Sequence, residues 1–119
     1  MNTSITKALA KEFKKYKVQQ TPAEFKWLLE KFVDINPKRI LEIGPKFGGC
    51  SKLFYDFMSN KSRLYTIDSQ EREWSWKKDY KPGKILVKIH GGSTGIGTIK
   101  KLALMLDGDK LDFIYIDGN

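Results

Sequence analysis

One cysteine and one histidine are all that this chain offers of the side chains on which most metal and redox sites depend. Cys50 has no second thiol for an internal disulfide and cannot build a cysteine-rich zinc site, and His90 alone cannot form a histidine cluster. Any metal here rests mainly on carboxylates. Long apolar runs are missing too. The opening MNTSITKALAKEFKKYKV scatters lysines among its apolar residues, unlike the uninterrupted core of a signal peptide, and no later run approaches a membrane span. A cytoplasmic protein with no membrane partner is expected. Arginine-rich tracts, internal repeats and low-complexity segments are also absent. The 22 basic and 14 acidic side chains leave a net charge of +8. The lysines are spread rather than bunched, so this charge reads as a solvated surface that favours anionic ligands, and nucleic acid is not the expected partner.

What the chain does have is apolar material: 40% of its 119 residues are hydrophobic and 13% aromatic, too many for a disordered chain. Its length suits one domain that buries roughly two thirds of its unfolded surface. Residues 4–17 place Ile5, Leu9, Phe13 and Tyr16 three or four apart, with the lysines mostly elsewhere around the wheel, which predicts an amphipathic helix. A second begins at TPAE, where Thr21 can cap, Pro22 fits the first helical position and Glu24 completes a capping box. Phe25, Leu28, Leu29 and Phe32 form its apolar face, and Pro37 stops it. Four short, β-branched apolar runs follow, RILEI, RLYTI, KILVKI and LDFIYI, and read as strands. Between them Leu53, Phe54, Phe57 and Met58 suit a helix packed on a sheet, EREWSWKKDY a short exposed helix, and Ile99, Leu102, Ala103 and Leu106 another helix. This alternation predicts an α/β fold: a Rossmann-like parallel sheet with right-handed crossovers. Residues 1–37 form a helical segment packing on it.

The stretch RILEIGPKFGGCS, residues 39–51, runs a strand into three glycines and then into a helix. In a parallel α/β unit the turn after the first strand faces the ligand crevice. Glycine there lets the backbone approach a ligand while the next helix presents its amide groups. Tight turns need glycine for steric reasons alone, so the spacing carries more information. The dinucleotide fingerprint G-x-G-x-x-G places a second glycine where this turn has Lys46, which disfavours nicotinamide and flavin dinucleotides. GGSTGIGTI nearly fits a phosphate-binding loop from Gly92 to Gly97, but Thr98 occupies the required lysine position, which argues against a nucleoside triphosphatase. What fits is E-x-G-x-x-x-G: Glu42, Gly44 and Gly48 at the end of the first strand, with Asp68 ending the second in LYTIDS. Carboxylates at adjacent strand ends can accept hydrogen bonds from a ribose diol or a cationic amine, which suits a charged nucleoside.

LEIGPKFGGCS, YTIDS, IHGGST and DFIYIDGN, in that order, resemble the class I S-adenosylmethionine-dependent methyltransferases, in the small O-methyltransferase branch that includes the cephalosporin hydroxylase-like proteins. The resemblance covers residues 38–119, the cofactor-binding half of such a domain. It implies strand order 3-2-1-4, helices on both faces, and further strands beyond the fourth. It also implies S-adenosylmethionine as cofactor, with Gly44 and Gly48 beside its amino acid part, Glu42 supporting that site, Asp68 on the ribose hydroxyls, and Gly91 and Ser93 at the adenine edge. Asp117, at the mouth of the fourth strand, is the implied catalytic residue and ligand for a divalent metal such as Mg. Two departures stand out. Relatives often carry an acidic residue where this chain has Gly92, which puts a side-chain contact to the adenine amine in doubt, and Cys50 replaces a common serine or threonine.

Plainer roles compete with these. His90 ends a strand and reads as structural rather than as a general base, and Cys50 as no nucleophile. Trp74 and Trp76 read as surface or interface aromatics rather than adenine platforms. Asp117 can equally cap a turn with Gly118. The fourth strand has a pattern suited to burial on both faces, yet strand order 3-2-1-4 leaves it at an edge. A fragment of a longer protein is therefore expected, with a half-domain completed by another chain, or a homo-oligomer pairing its fourth strands, as alternatives. The expected function is methyl transfer to the oxygen of a small-molecule acceptor, with this chain supplying the cofactor-binding half. A non-catalytic binding or assembly module is the alternative, and an RNA methyltransferase, resting on the positive charge, a weaker third.

Overall fold

The computed structural model describes residues 3–15, 22–45, 48–70, 74, 76, 80–92 and 94–116. Two helices come first, α1 (Thr3–Lys15) and α2 (Pro22–Ile35). Thr21 and Tyr16 lie outside the described residues, but Pro22 opens α2 as its fixed φ favours, with Glu24 in the first turn. At the other end Asn36 turns left-handed at φ 52°, its amide donating to the Phe32 carbonyl at 3.0 Å, and Pro37 follows. This is an αL cap with asparagine in glycine's usual place, and the proline after it prevents a further turn.

The chain then alternates: β1 (Arg39–Ile43), α3 (Gly49–Phe57), β2 (Arg63–Asp68), β3 (Ile85–His90), α4 (Ile96–Leu106) and β4 (Phe113–Ile116). The strands form one sheet in the order β3-β2-β1-β4, and every pairing is parallel. The predicted α/β fold and strand order are thus those observed. Side chains alternate across the sheet with period two. Ile40, Leu64, Leu86, Phe113 and Tyr115 face α1, α2 and α3, while Leu41, Tyr65, Ile67 and Ile89 face α4.

The first face holds the main core. Phe54 of α3 is its centre, with its ring 5.6 Å from Phe25, 5.0 Å from Phe32, 5.7 Å from Phe113 and 5.4 Å from Tyr115. Tilted and edge-on geometries of this kind add to area burial, itself about 1.5–3 kcal/mol per side chain. Because α3 lies between the sheet and the two leading helices, Gly49 to Tyr55 are all buried. Its last carbonyls are capped by Lys84, whose Nζ donates to those of Tyr55 (2.9 Å) and Asp56 (2.8 Å). A cation is favoured at a helix C-terminus, although burial pushes this amine below the usual lysine range.

Three expectations need correction. The inner stripe of α4 is Thr98, Leu102 and Leu106, four apart, whereas Ile99 and Ala103 are exposed, because the helix touches the sheet along one narrow line, chiefly β3. In β4, Phe113 and Tyr115 reach the core, but Ile114 and Ile116 are 54% and 65% exposed. Among the described residues no helix covers that side of β4, so its pattern of burial on both faces is realised on one. Finally, Trp74 and Trp76 are not surface aromatics; both are buried in the main core, where they stack on each other and Trp76 packs on Tyr55 of α3.

The opposite end of the sheet is held by Asp112. Its Oδ2 accepts the amides of Lys38 (2.9 Å) and Arg39 (3.1 Å), fastening the start of β1 to the entry of β4. These two bonds hold its carboxyl below the usual aspartate range. Arg39 also pairs with Asp109 at 2.9 Å.

Candidate functional site

All four strands run the same way, so their C-terminal ends form one rim, and a parallel sheet binds ligands at such a rim. Gly44 leaves β1 at φ 79°, and its amide donates to the Ile67 carbonyl at 2.9 Å, one residue before Asp68. Gly91 leaves β3 next door, its amide donating to the Asp68 carbonyl at 2.8 Å. Three of the predicted positions, Gly44, Asp68 and Gly91, thus lie side by side, Gly91 bonded to Asp68 itself and Gly44 to the residue before it. The Asp68 carboxylate closes an Asx turn by accepting the Gln70 amide at 3.0 Å, and stays half-buried at the rim. Gly91 must be glycine for packing reasons, because a Cβ there would collide with the Thr98 hydroxyl.

Gly48 ends the turn and begins α3 at φ 83°, with its amide on the Pro45 carbonyl at 3.0 Å. No side chain caps this helix and no acidic residue occupies its first turn, leaving the positive end of the helix dipole unneutralised by the helix's own residues. Beneath it lies Glu42, only 1% exposed, accepting a hydrogen bond from the Ser51 hydroxyl. An ionised carboxylate this deep needs such a donor. Glu42 therefore supports the turn from below rather than opening toward the rim. Lys46 and Phe47, at the centre of the turn, lie outside the described residues, as do Ser93 and Asp117.

The remaining candidates fall as follows. His90 sits at the rim beside Asp68 in register, exposed, with its Nε2–H donating to the Ser69 carbonyl at 3.0 Å. Cys50 is buried in the first turn of α3. Gly92 has open space where a Cβ would stand, so the position can hold a side chain. No group of three or more His, Cys, Asp or Glu side chains suited to a metal occurs among the described residues. Ser51, Thr98, Trp74 and Trp76 were not legible as site residues. Thr98 and Trp74 fill the space beside Gly91 and Gly48, Trp76 bonds to Gly48 and Ser51 to Glu42, and the linear pattern gives no sign of these contacts; the pairing of Trp74 with Trp76 at a two-residue spacing was the one available hint.

No protein-family model and no curated protein matches the chain. Solved structures do. The O-methyltransferase from Bacillus cereus, in complex with S-adenosylhomocysteine, aligns over 99% of this chain with a TM-score of 0.58 and 16% identity. TomG, an O-methyltransferase of Streptomyces achromogenes involved in tomaymycin synthesis and solved with S-adenosylmethionine, aligns over 100% with a TM-score of 0.58 and 18% identity. The fold is a methyltransferase fold. At these identities the likeness is one of fold, and the chain spans 55% of the length of either structure. Within the methyltransferase fold the rim described above is the C-terminal edge of the central strands, with Gly44–Gly48 as its first turn. No described helix is long and apolar enough to cross a membrane.

Proposed function

We propose that this chain binds S-adenosylmethionine at the Gly44–Gly48 turn and forms the cofactor-binding half of an enzyme that methylates an oxygen of a small molecule. The observation that carries the reading is the row Gly44, Asp68, Gly91 at three adjacent strand ends, held by backbone hydrogen bonds from Gly44 to Ile67 and from Gly91 to Asp68. Support also comes from the two O-methyltransferases of this fold, solved with S-adenosylhomocysteine and with S-adenosylmethionine.

The donor set suits that molecule. The Asp68 carboxylate is a pure acceptor at the rim, the chemistry a ribose diol asks for. Gly44 and Gly48, both at positive φ, let the backbone come close to the amino acid part. The positive dipole end of α3, with no acidic residue in its own first turn, favours the carboxylate of that part, and the Glu42–Ser51 bond holds the floor beneath. When bound, the cofactor supplies an activated methyl group on a sulfonium. The chain's contribution is positioning: it fixes the nucleoside by its ribose and turns the amino acid end inward, so that an acceptor oxygen meets the methyl in line.

Calorimetric titration with S-adenosylhomocysteine tests this. Wild-type protein should bind, and Asp68→Ala should weaken binding about ten- to hundredfold, the equivalent of roughly 1.5–3 kcal/mol of charge-assisted hydrogen bonding. Absence of heat and of any thermal shift at millimolar ligand would sink the proposal.

A second reading is favoured by β4, which pairs only with β1 among the described residues and leaves Ile114 and Ile116 exposed. On it, a second copy of the chain joins this edge, and the cofactor half works within a homo-oligomer.

A further inference from the structure

We infer that Trp76 and Trp74 are positioning residues for the cofactor turn: together they fix the Gly48 peptide and so aim the first amide of α3. The consequence for affinity rests on the cofactor reading above. Three contacts meet at Gly48. The Trp76 indole Nε1–H donates to its carbonyl at 3.0 Å, and that carbonyl also accepts the Lys52 amide at 2.9 Å, so both lone pairs are engaged. The Trp74 ring presses on the other side, with ring atoms 2.7–2.9 Å from where a Cβ would stand.

A peptide unit is planar and trans, so its carbonyl and the following N–H point in opposite directions. Holding the Gly48 carbonyl toward Trp76 and Lys52 therefore turns the Gly49 amide the other way, out of the helix N-terminus, where an anionic ligand group would be met. A buried indole N–H needs an acceptor, and Trp76 takes the carbonyl of the residue that starts the helix in a left-handed conformation, which ties the core to the turn.

The pair is also anchored well enough to act as a clamp. The two indoles stack at 5.4 Å and 20°, and Trp76 lies 5.2 Å from Tyr55 of α3 and 5.1 Å from Tyr80. The Lys88 ammonium of β3 stands 4.1 Å over Trp74, a cation–π distance. With exposures of 3% and 0%, Trp74 and Trp76 have no room to swing away. A ligand then meets a turn already set, and any loosening lowers its apparent affinity by the fraction of molecules in which the turn is misplaced.

Trp76→Phe keeps a ring and removes the donor. Residue-resolved amide hydrogen exchange on the ligand-free protein should show Gly48 and Lys52, whose amides are bonded to the Pro45 and Gly48 carbonyls, exchanging about tenfold faster relative to Leu41, Tyr65 and Val87 of the sheet. S-adenosylhomocysteine affinity should fall about tenfold, as for one buried hydrogen bond. Phe32→Leu serves as the comparison: it disturbs the main core at Phe54 and Phe113, away from the indole pair, and should leave the turn-to-sheet exchange ratio unchanged. Equal acceleration of turn and sheet amides in Trp76→Phe would make the residue a core filler and overturn the inference. So would a loosened turn that binds S-adenosylhomocysteine as tightly as wild type. If wild type binds none, the cofactor reading falls, while the exchange ratio still decides whether the clamp exists.

Discussion

At the scale of single residues, glycines divide by what surrounds them. Gly48 has positive φ and an indole where a Cβ would go, whereas Gly92 has neither constraint. Gly48→Ala should cost about 2–4 kcal/mol, a left-handed penalty plus overpacking against a buried ring, while Gly92→Ala should stay within about 0.5 kcal/mol of wild type. Urea unfolding of both variants measures the contrast; equal midpoints would refute the packing described at Gly48. The places of Gly44, Gly48 and Asp68 in the fold were legible in the sequence because a strand running into a glycine turn, and a carboxylate ending the next strand, are local patterns with local causes. The Glu42 side chain was legible as important but not as buried: its partner Ser51 reaches it only after the turn has folded back over β1. Nothing in the spacing of Trp74 and Trp76 says that an indole N–H will meet the carbonyl of a residue 28 positions earlier.

At the scale of elements, one exposed carboxylate ties the start of β1 to the entry of β4, beside the ladder that pairs the two strands. Asp112 accepts two backbone amides, and its carboxyl is held below the usual range by those bonds. A group whose folded value is lowered stabilises the protein above the unfolded value, about 3.9, and loses that contribution as pH falls through the folded one. Asp112→Ala should therefore be less stable than wild type at neutral pH, with the gap closing in acid below the aspartate range. Thermal unfolding across pH follows it; a gap independent of pH would exclude the ionised carboxylate as its source. RILEI matches β1 to the residue and RLYTI starts where β2 does, whereas KILVKI and LDFIYI begin one and two residues before β3 and β4. The inward side of α4 was not legible. Its sequence is apolar nearly all round, so the wheel offers several faces, and only contact with β3 selects Thr98, Leu102 and Leu106.

At the scale of the molecule, strand order followed from alternation and resemblance, since right-handed crossovers leave few ways to lay four parallel strands. What covers β4 did not follow from the same reasoning. An unpaired apolar edge is a template for association, and Ile114 and Ile116 add side-chain surface to it. Joined through this edge, two copies should scatter light as a dimer, and Ile114→Lys with Ile116→Lys should return the species to 13.7 kDa. A wild-type chain that is monomeric at tens of micromolar would contradict assembly through β4. The net charge of +8 is compatible with an anionic ligand group but places no cluster at the rim.

The central claim is that a nucleoside cofactor sits on the row formed by Gly44, Asp68 and Gly91. The measurement that addresses it most directly is a titration of S-adenosylhomocysteine followed at each backbone amide by NMR. Saturable shifts concentrated at Gly44, Gly48, Gly49, Asp68 and Gly91, with Lys38, Arg39 and Asp112 at the opposite end unmoved, are the predicted result. No shifts at millimolar ligand, or shifts centred away from these strand ends, would contradict it.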